Sequence, residues 1–226
     1  MKLIGIETAT ESCSVALWQD GDLLERFEMA PRRQTELVLP MVEALLAEAG
    51  LTAAQLDGVA FGRGPGAFTG VRVAVAVAQG LAFAIDRPVL GISTLASAAL
   101  AAFDRGARGP LLTAFDARMN ELYLAVYERQ GDSDRLHALV EDCLASPLTL
   151  PPLPQQVRTG TGSGEVHRAA LQQALPALGE WLPDGYPRAA TIVRLAAPGF
   201  AAGEGVDAAQ ARPVYLRDQV IQGANR

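Results

Sequence analysis

The sequence predicts an α/β protein of two similar lobes, each a mixed β-sheet with flanking helices, and a cleft between them. Three observations carry this. A strand–acid–turn–strand–turn–strand pattern opens the chain and restarts near residue 111. Helical stretches alternate with short apolar strands after the first pattern. The 226 residues are half hydrophobic but only 6% aromatic, which suits an aliphatic, alanine-rich core in one large domain or two small ones. The expected lobes are residues 1–104 and 105–226.

In the first lobe, Leu3, Ile4 and Ile6 form an apolar strand ending at Glu7-Thr8. The polar turn Ala9–Ser12 leads to a strand over Val15–Trp18. Asp20-Gly21 is a two-residue hairpin signal, and Leu23–Met29 is the returning strand. A helix fits Gln34–Ala49, with Leu37, Met41, Leu45 and Glu48 on one stripe, Gly50 as its stop and Pro40 as a bend or first-turn mark. Val59–Phe61 is a short buried strand. It enters Gly62-Arg63-Gly64-Pro65-Gly66, and a second helix follows over Thr69–Ile85. Its Val/Ala alternation resembles a strand, but Val71, Val75, Ala78, Ala82 and Ile85 keep helical spacing and no turn signal interrupts them. Pro88–Ile92 is the next strand, and Ser93-Thr94 caps a helix to Phe103.

Arg105–Pro110 reads as the connection between lobes. Leu111–Phe115 then ends in Asp116, as the first strand ended in Glu7. The turn Ala117–Asn120, the strand Leu122–Tyr127 and the hairpin signal Gly131-Asp132 repeat the opening. Pro147–Pro154 is a proline-rich surface segment. Gln156–Thr159 is a short strand before Gly160-Thr161-Gly162-Ser163-Gly164, and helices fit Glu165–Leu175 and Ala190–Ala202.

Composition excludes much chemistry. Lys2 is the single lysine, so a P-loop with its internal Gly-Lys-Ser/Thr is out. His137 and His167 lie thirty positions apart with no cysteine pair beside either, which removes a histidine-rich zinc site. Cys13 and Cys143 are too few for a disulfide framework, so a reducing cytoplasm is expected. No secretory leader is read at the start, and Val73–Ile85 is shorter than the ~20 residues of a membrane span. The net charge of −6 predicts weak binding of nucleic acid by the chain alone.

Glu7 and Asp116 close equivalent strands. They either face a shared cleft and hold Mg²⁺ through water, or accept hydrogen bonds in tight turns. Gly62–Ala67 loosely fits a phosphate-binding glycine fingerprint, but it lies in mid-chain and Pro65 removes an N–H. A structural turn, or a loop facing a partner's ligand, fits it better. Gly160 and Gly162 either line a phosphate-sized gap or form a plain turn. A nucleophilic triad through Ser12 or Cys13 has no histidine motif to support it, and His167 is expected to face solvent.

Gly62–Val73, with Glu7-Thr8-Ala9-Thr10, Leu39-Pro40-Met41-Val42, Gly91–Leu95, Asp116-Ala117-Arg118-Met119 and Pro213-Val214-Tyr215-Leu216-Arg217, resembles the bacterial TsaB (YeaZ) family across nearly the whole chain. The resemblance implies the two-lobed fold of acetate kinase, sugar kinases, chaperones and actin. It also implies a non-catalytic subunit in the making of N6-threonylcarbamoyladenosine beside the tRNA anticodon. The implied partners are TsaD, which carries the metal and transfers the threonylcarbamoyl group, and the small ATPase TsaE, with tRNA met only through the complex and self-pairing when TsaD is absent. No cofactor, metal or membrane is implied. The two metal histidines of the catalytic relative correspond to Thr94 and Ala98. The glycine pair of the phosphate turn is replaced by Asp116-Ala117-Arg118, and Glu7 stands where the family usually has Asp.

Site expectations follow. Leu37, Met41, Val71, Val75, Ala78 and Ala82 either form a helix-pair interface with a partner or simply pack both helices on their own sheet, since the sequence does not separate the two stripes. Glu7, Thr8, Asp116, Gly160 and Gly162 form a vestigial nucleotide cleft. Gly62, Arg63, Gly64 and Gly66 form a partner-facing loop. Competing readings are a phosphotransferase or ATPase of the same fold, and a peptidase, which the missing metal ligands disfavour.

Overall fold

The computed structural model describes residues 1–217; the expected second lobe runs on to 226, and residues 218–226 lie outside the described residues. The first sheet contains β1 (Lys2–Glu7), β2 (Ser12–Gln19), β3 (Asp22–Met29), β4 (Gly58–Gly62) and β5 (Val89–Ile92). Its order is β3-β2-β1-β4-β5. The second contains β6 (Leu111–Asp116), β7 (Leu122–Arg129), β8 (Leu136–Ala145), β9 (Thr159–Thr161) and β10 (Glu180–Leu182), in the order β10-β9-β6-β7-β8. In each sheet the opening strand pairs antiparallel with the second and parallel with the fourth. The duplication read from sequence is therefore present strand for strand. This is the two-lobed, duplicated plan that the family resemblance implies.

Among the described residues, five α-helices complete the fold: α1 (Gln34–Glu48), α2 (Phe68–Ile85), α3 (Thr94–Asp104), α4 (Arg168–Ala174) and α5 (Ala189–Ala201). Helices α1 and α2 cover the outer face of the first sheet, where Val38, Val42, Leu45, Ala74, Ala78 and Ala82 meet Ile4, Ile6, Val15 and Phe61. Helix α4 covers the outer face of the second through Leu171, against Leu112, Leu124 and Trp181.

The middle layer crosses the expected boundary. Helix α3, from the first half of the chain, packs Leu95, Ala99 and Phe103 on Leu111, Phe115 and Ala125 of the second sheet. Helix α5, from the second half, packs Ala189, Ile192, Val193 and Ala196 on Leu3, Ala16 and Ala60 of the first. A cut at 104/105 separates the strands but not the packing units. The start of α5 is capped by the first sheet: Ala189 N–H donates to Ser14 Oγ (2.9 Å) and Ala190 N–H to Glu25 Oε1 (3.1 Å). Arg188 also donates from Nε to Glu25 Oε2 at 2.9 Å. The two backbone bonds satisfy first-turn N–H groups that lack intrahelical partners.

Helix α2 is long and apolar enough to cross a membrane by length and composition, although the shorter stretch Val73–Ile85 is not. One face of it is core, and Gln79 Nε2 on a flank donates to the Ala211 carbonyl at 3.0 Å. The expected helix Glu165–Leu175 is instead a 3₁₀ turn over Ser163–His167 followed by α4. Strand β9 lies two to three residues later than expected because Gly160 and Thr161 pair with Leu112 and Thr113.

Candidate functional site

A cleft of about 1050 Å³ opens between the lobes. Its first-lobe wall is the turn Ala9–Glu11, the chain at Arg32–Thr35 and the start of α2 at Phe68–Val71. Its second-lobe wall is Asp116–Met119, Tyr123 and Ser163, and Val214–Arg217 runs along the opening. At its mouth the Arg72 guanidinium lies 3.1 Å from the centre of the Phe68 ring and 4.9 Å from that of Tyr215.

Of the five residues expected to line a nucleotide cleft, only Asp116 does so. Glu7 is wholly buried behind the wall. Its Oε1 accepts the Ala9 N–H at 2.6 Å, and its Oε2 accepts the Thr94 hydroxyl at 3.2 Å. Burial raises its pKa from 4.5 to about 7, against the opposing effect of these bonds. Thr8 is buried too, and its hydroxyl donates to the Gly70 carbonyl at 2.7 Å. Gly160 is glycine for packing, since a Cβ would stand 2.5 Å from the Trp181 ring. Gly162 has φ +98°, and its carbonyl accepts Trp181 Nε1 at 3.0 Å. Both glycines serve packing and turn geometry within the second lobe.

Asp116 has the opposite surroundings to Glu7. It accepts the Arg118 N–H at 2.9 Å and Arg118 Nη1 at 3.1 Å, and its own N–H donates to Ser163 Oγ. His167 Nε2 stands 3.7 Å away, so this histidine faces the carboxylate rather than open solvent. The two acids thus do not form a pair across the cleft.

The glycine-rich loop is latched on both sides. Gly64 has φ +96°, and its carbonyl accepts the Thr94 N–H at 3.0 Å. The Arg63 carbonyl accepts the Val214 N–H at 2.8 Å. A Cβ on Gly62 would overlap the Glu7 carboxylate, and one on Gly66 would overlap the Ala9 carbonyl. Gly62 and Gly64 are buried; Arg63 is exposed and Gly66 half-exposed. The glycines are needed for close approach within the chain.

The expected interface needs a larger correction. Val71, Val75, Ala78 and Ala82 are buried in the chain's own core, and Ala78 and Ala82 are fully inaccessible. Leu37 and Met41 are half-buried at the edge of that core. The apolar stripe of α2 pointed out by helical spacing is the stripe that faces the sheet. Its outward face carries Arg72, Ala76, Gly80, Phe83 and Ala84, Phe83 being 82% exposed, with the half-buried Val73 and Val77 at the edge where the helix meets the core.

On α3, Ser93 Oγ accepts the Ala96 N–H at 3.1 Å and starts the helix. Thr94 and Ala98, one turn apart, are both buried, the first spent on Glu7 and the second on the core. Among the described residues no three or more His, Cys, Asp and Glu side chains gather as a metal site. The Cys13 thiol is pushed up to about 11 by burial, with Glu28 and Glu7 adding to the effect, which suppresses the thiolate a nucleophile needs. Sequence patterns gave no role to Phe68, Arg72 or Arg217, although Tyr215 and Arg217 lie in a segment that carries the family resemblance.

The family described as TsaD, tRNA N6-adenosine threonylcarbamoyltransferase, matches residues 28–179. The tRNA threonylcarbamoyladenosine biosynthesis protein TsaB of Escherichia coli is 38% identical over 97% of this chain and 96% of its own length. That of Haemophilus influenzae is 35% identical over 97% and 95%. YeaZ from Pseudomonas aeruginosa superposes with a TM-score of 0.84 at 38% identity, covering 95% of this chain and 99% of that one. A second Pseudomonas aeruginosa structure, of an uncharacterized protein with similarity to peptidase YEAZ, gives 0.87 at 39% identity, with 96% and 99% covered. Near-complete coverage in both directions at this identity means that the chain belongs to the TsaB (YeaZ) family.

Proposed function

We infer that this chain is the non-catalytic subunit that acts with TsaD in forming N6-threonylcarbamoyladenosine next to the anticodon of tRNA. The observation that carries this is similarity along nearly the whole chain to proteins named for that biosynthesis. The interior use of Thr94 and Ala98 agrees with it, because neither side chain is free to serve as a metal ligand. The chain's part is to bind and hold TsaD in its active form.

The docking surface is the outward side of α1 and α2. On α2, Ala76, Gly80 and Ala84 are exposed at four-residue spacing, so a facing helix can approach closely, while Val73, Val77 and Phe83 supply apolar area. On α1, Leu37 and Met41 border this face and Leu39 is exposed. Without TsaD, two copies cover the same face about a two-fold axis. TsaE joins the TsaD-bound form, and tRNA reaches the chain only within that complex. The site of action is the cytoplasm.

The test is modified-nucleoside formation on tRNA from threonylcarbamoyl-AMP, using TsaD with and without this chain, and this chain alone. TsaD is expected to gain activity on addition of the chain, and the chain alone to form none. Turnover by the chain alone, or TsaD activity indifferent to it, contradicts the reading. Filter binding of tRNA by the chain alone at physiological salt is expected to be no tighter than about micromolar.

A further inference from the structure

We propose that Pro213–Arg217 is a strap that fixes the angle between the two lobes across the mouth of the cleft. Its first-lobe end is held by the Val214 N–H, which donates to the Arg63 carbonyl at 2.8 Å. Upstream, the Ala211 carbonyl accepts Gln79 Nε2 of α2, and Tyr215 joins Phe68 and Arg72 at the start of the same helix. Its other end is held by the second lobe. Arg217 Nη2 donates to the Ala117 carbonyl at 3.1 Å and to the Glu121 carboxylate, and Nη1 reaches Met119 Sδ at 3.7 Å.

The turn grasped by Arg217 is strained. Arg118, Met119 and Asn120 take φ of +63°, +54° and +58°, three successive non-glycine residues in the left-handed region. The Ala117 N–H to Glu121 carbonyl bond (2.9 Å) and the Glu121 N–H to Arg118 carbonyl bond (3.0 Å) close the turn. Arg217 binds the two residues that flank the strained three. One guanidinium therefore holds both ends of this strained turn, reinforcing its own backbone bonds, and the chain behind it is tied to the opposite lobe. A tie at the mouth restrains hinge motion about the α3–α5 layer.

The experiment uses the full chain with Cys13→Ala and Cys143→Ala, and spin labels at Thr35→Cys and Ser163→Cys on opposite cleft walls. Double electron–electron resonance reads the interlobe distance. Arg217→Ala cuts the second-lobe end, and Val214→Pro removes the N–H at the first-lobe end. Each is expected to broaden the distance distribution, with the thermal melt still cooperative. Amide exchange at Ala117 and Glu121 is expected to speed about tenfold or more in Arg217→Ala, the effect of losing a hydrogen bond to a charged group. In Val214→Pro it is expected to stay slow. Should Arg217→Ala fail to fold, Arg217→Lys keeps the charge but not the fork, and is expected to broaden the distribution less. An unchanged distribution in the folded variants of both ends overturns the strap, as does broadening from the Arg217 end alone.

Discussion

The two lobes repeat one sheet but not its surroundings. The first sheet is covered outside by two long helices that leave apolar side chains facing outward. The second is covered by the seven-residue α4 and by Leu150 and Leu153 of the proline-rich segment. The acids that end β1 and β6 differ in the same way. Glu7 is sealed in the interior among N–H and hydroxyl donors, whereas Asp116 borders the cleft and is paired with Arg118. The duplicated strands supply a frame, and each lobe differs in its cover and in the environment of its strand-end acid. The same strand-end position carries a cleft acid in one lobe and a buried, hydrogen-bonded acid in the other.

The sharpest break is within α2. Ala78→Glu puts a charge on the face that meets the sheet and is expected to cost at least about 3 kcal/mol. A urea titration that leaves the midpoint unchanged would place Ala78 on the wrong face. Glu7 gives the next largest effect. Below about pH 4.5 it is protonated in both states. Between 4.5 and 7 the unfolded chain releases the proton and the folded chain keeps it, so stability falls as pH rises, by up to ~3 kcal/mol, and then levels off. Glu7→Gln is expected to remove that slope from the urea midpoint measured between pH 5 and 8. Parallel curves for the two proteins contradict the buried-carboxylate account.

A smaller loss is expected for Gly62→Ala, about 1–3 kcal/mol, because the new methyl overlaps the Glu7 carboxylate. The double variant with Glu7→Ala should recover part of it, and strict additivity would show that the two do not touch. Asp116→Asn is expected to change stability by less than about 1 kcal/mol, since its Arg118 partner is 78% exposed and water screens the pair from that side. A loss as large as that of Gly62→Ala would make the two strand-end acids equivalent after all.

The strands and the duplication were legible because apolar runs, hairpin signals and strand-end acids occur twice in the chain. The Ser93 cap and the extent of α5 were legible for the same local reasons. The crossing of α3 and α5 was not, since an alanine-rich helix carries no mark of which sheet it will meet. Strand β10 was missed because Glu180–Leu182 is three residues long and only Trp181 is buried. The family was legible from Gly62–Val73 and Asp116–Met119, yet the roles of their residues were not. A glycine pattern looks the same whether a phosphate or a neighbouring carboxylate fills the space beside it. On α2, small and branched residues occupy both sides of the helix, and only the three-dimensional packing separates Ala78 from Ala76.

That separation also provides the most direct test of the docking account. Ala76→Glu places its charge on the outward face of α2, two residues from the core position Ala78, and is expected to leave the thermal melt unchanged. Co-sedimentation with TsaD should be retained by the unmodified chain and lost by Ala76→Glu. Retention of TsaD by a folded Ala76→Glu chain would contradict docking through this face.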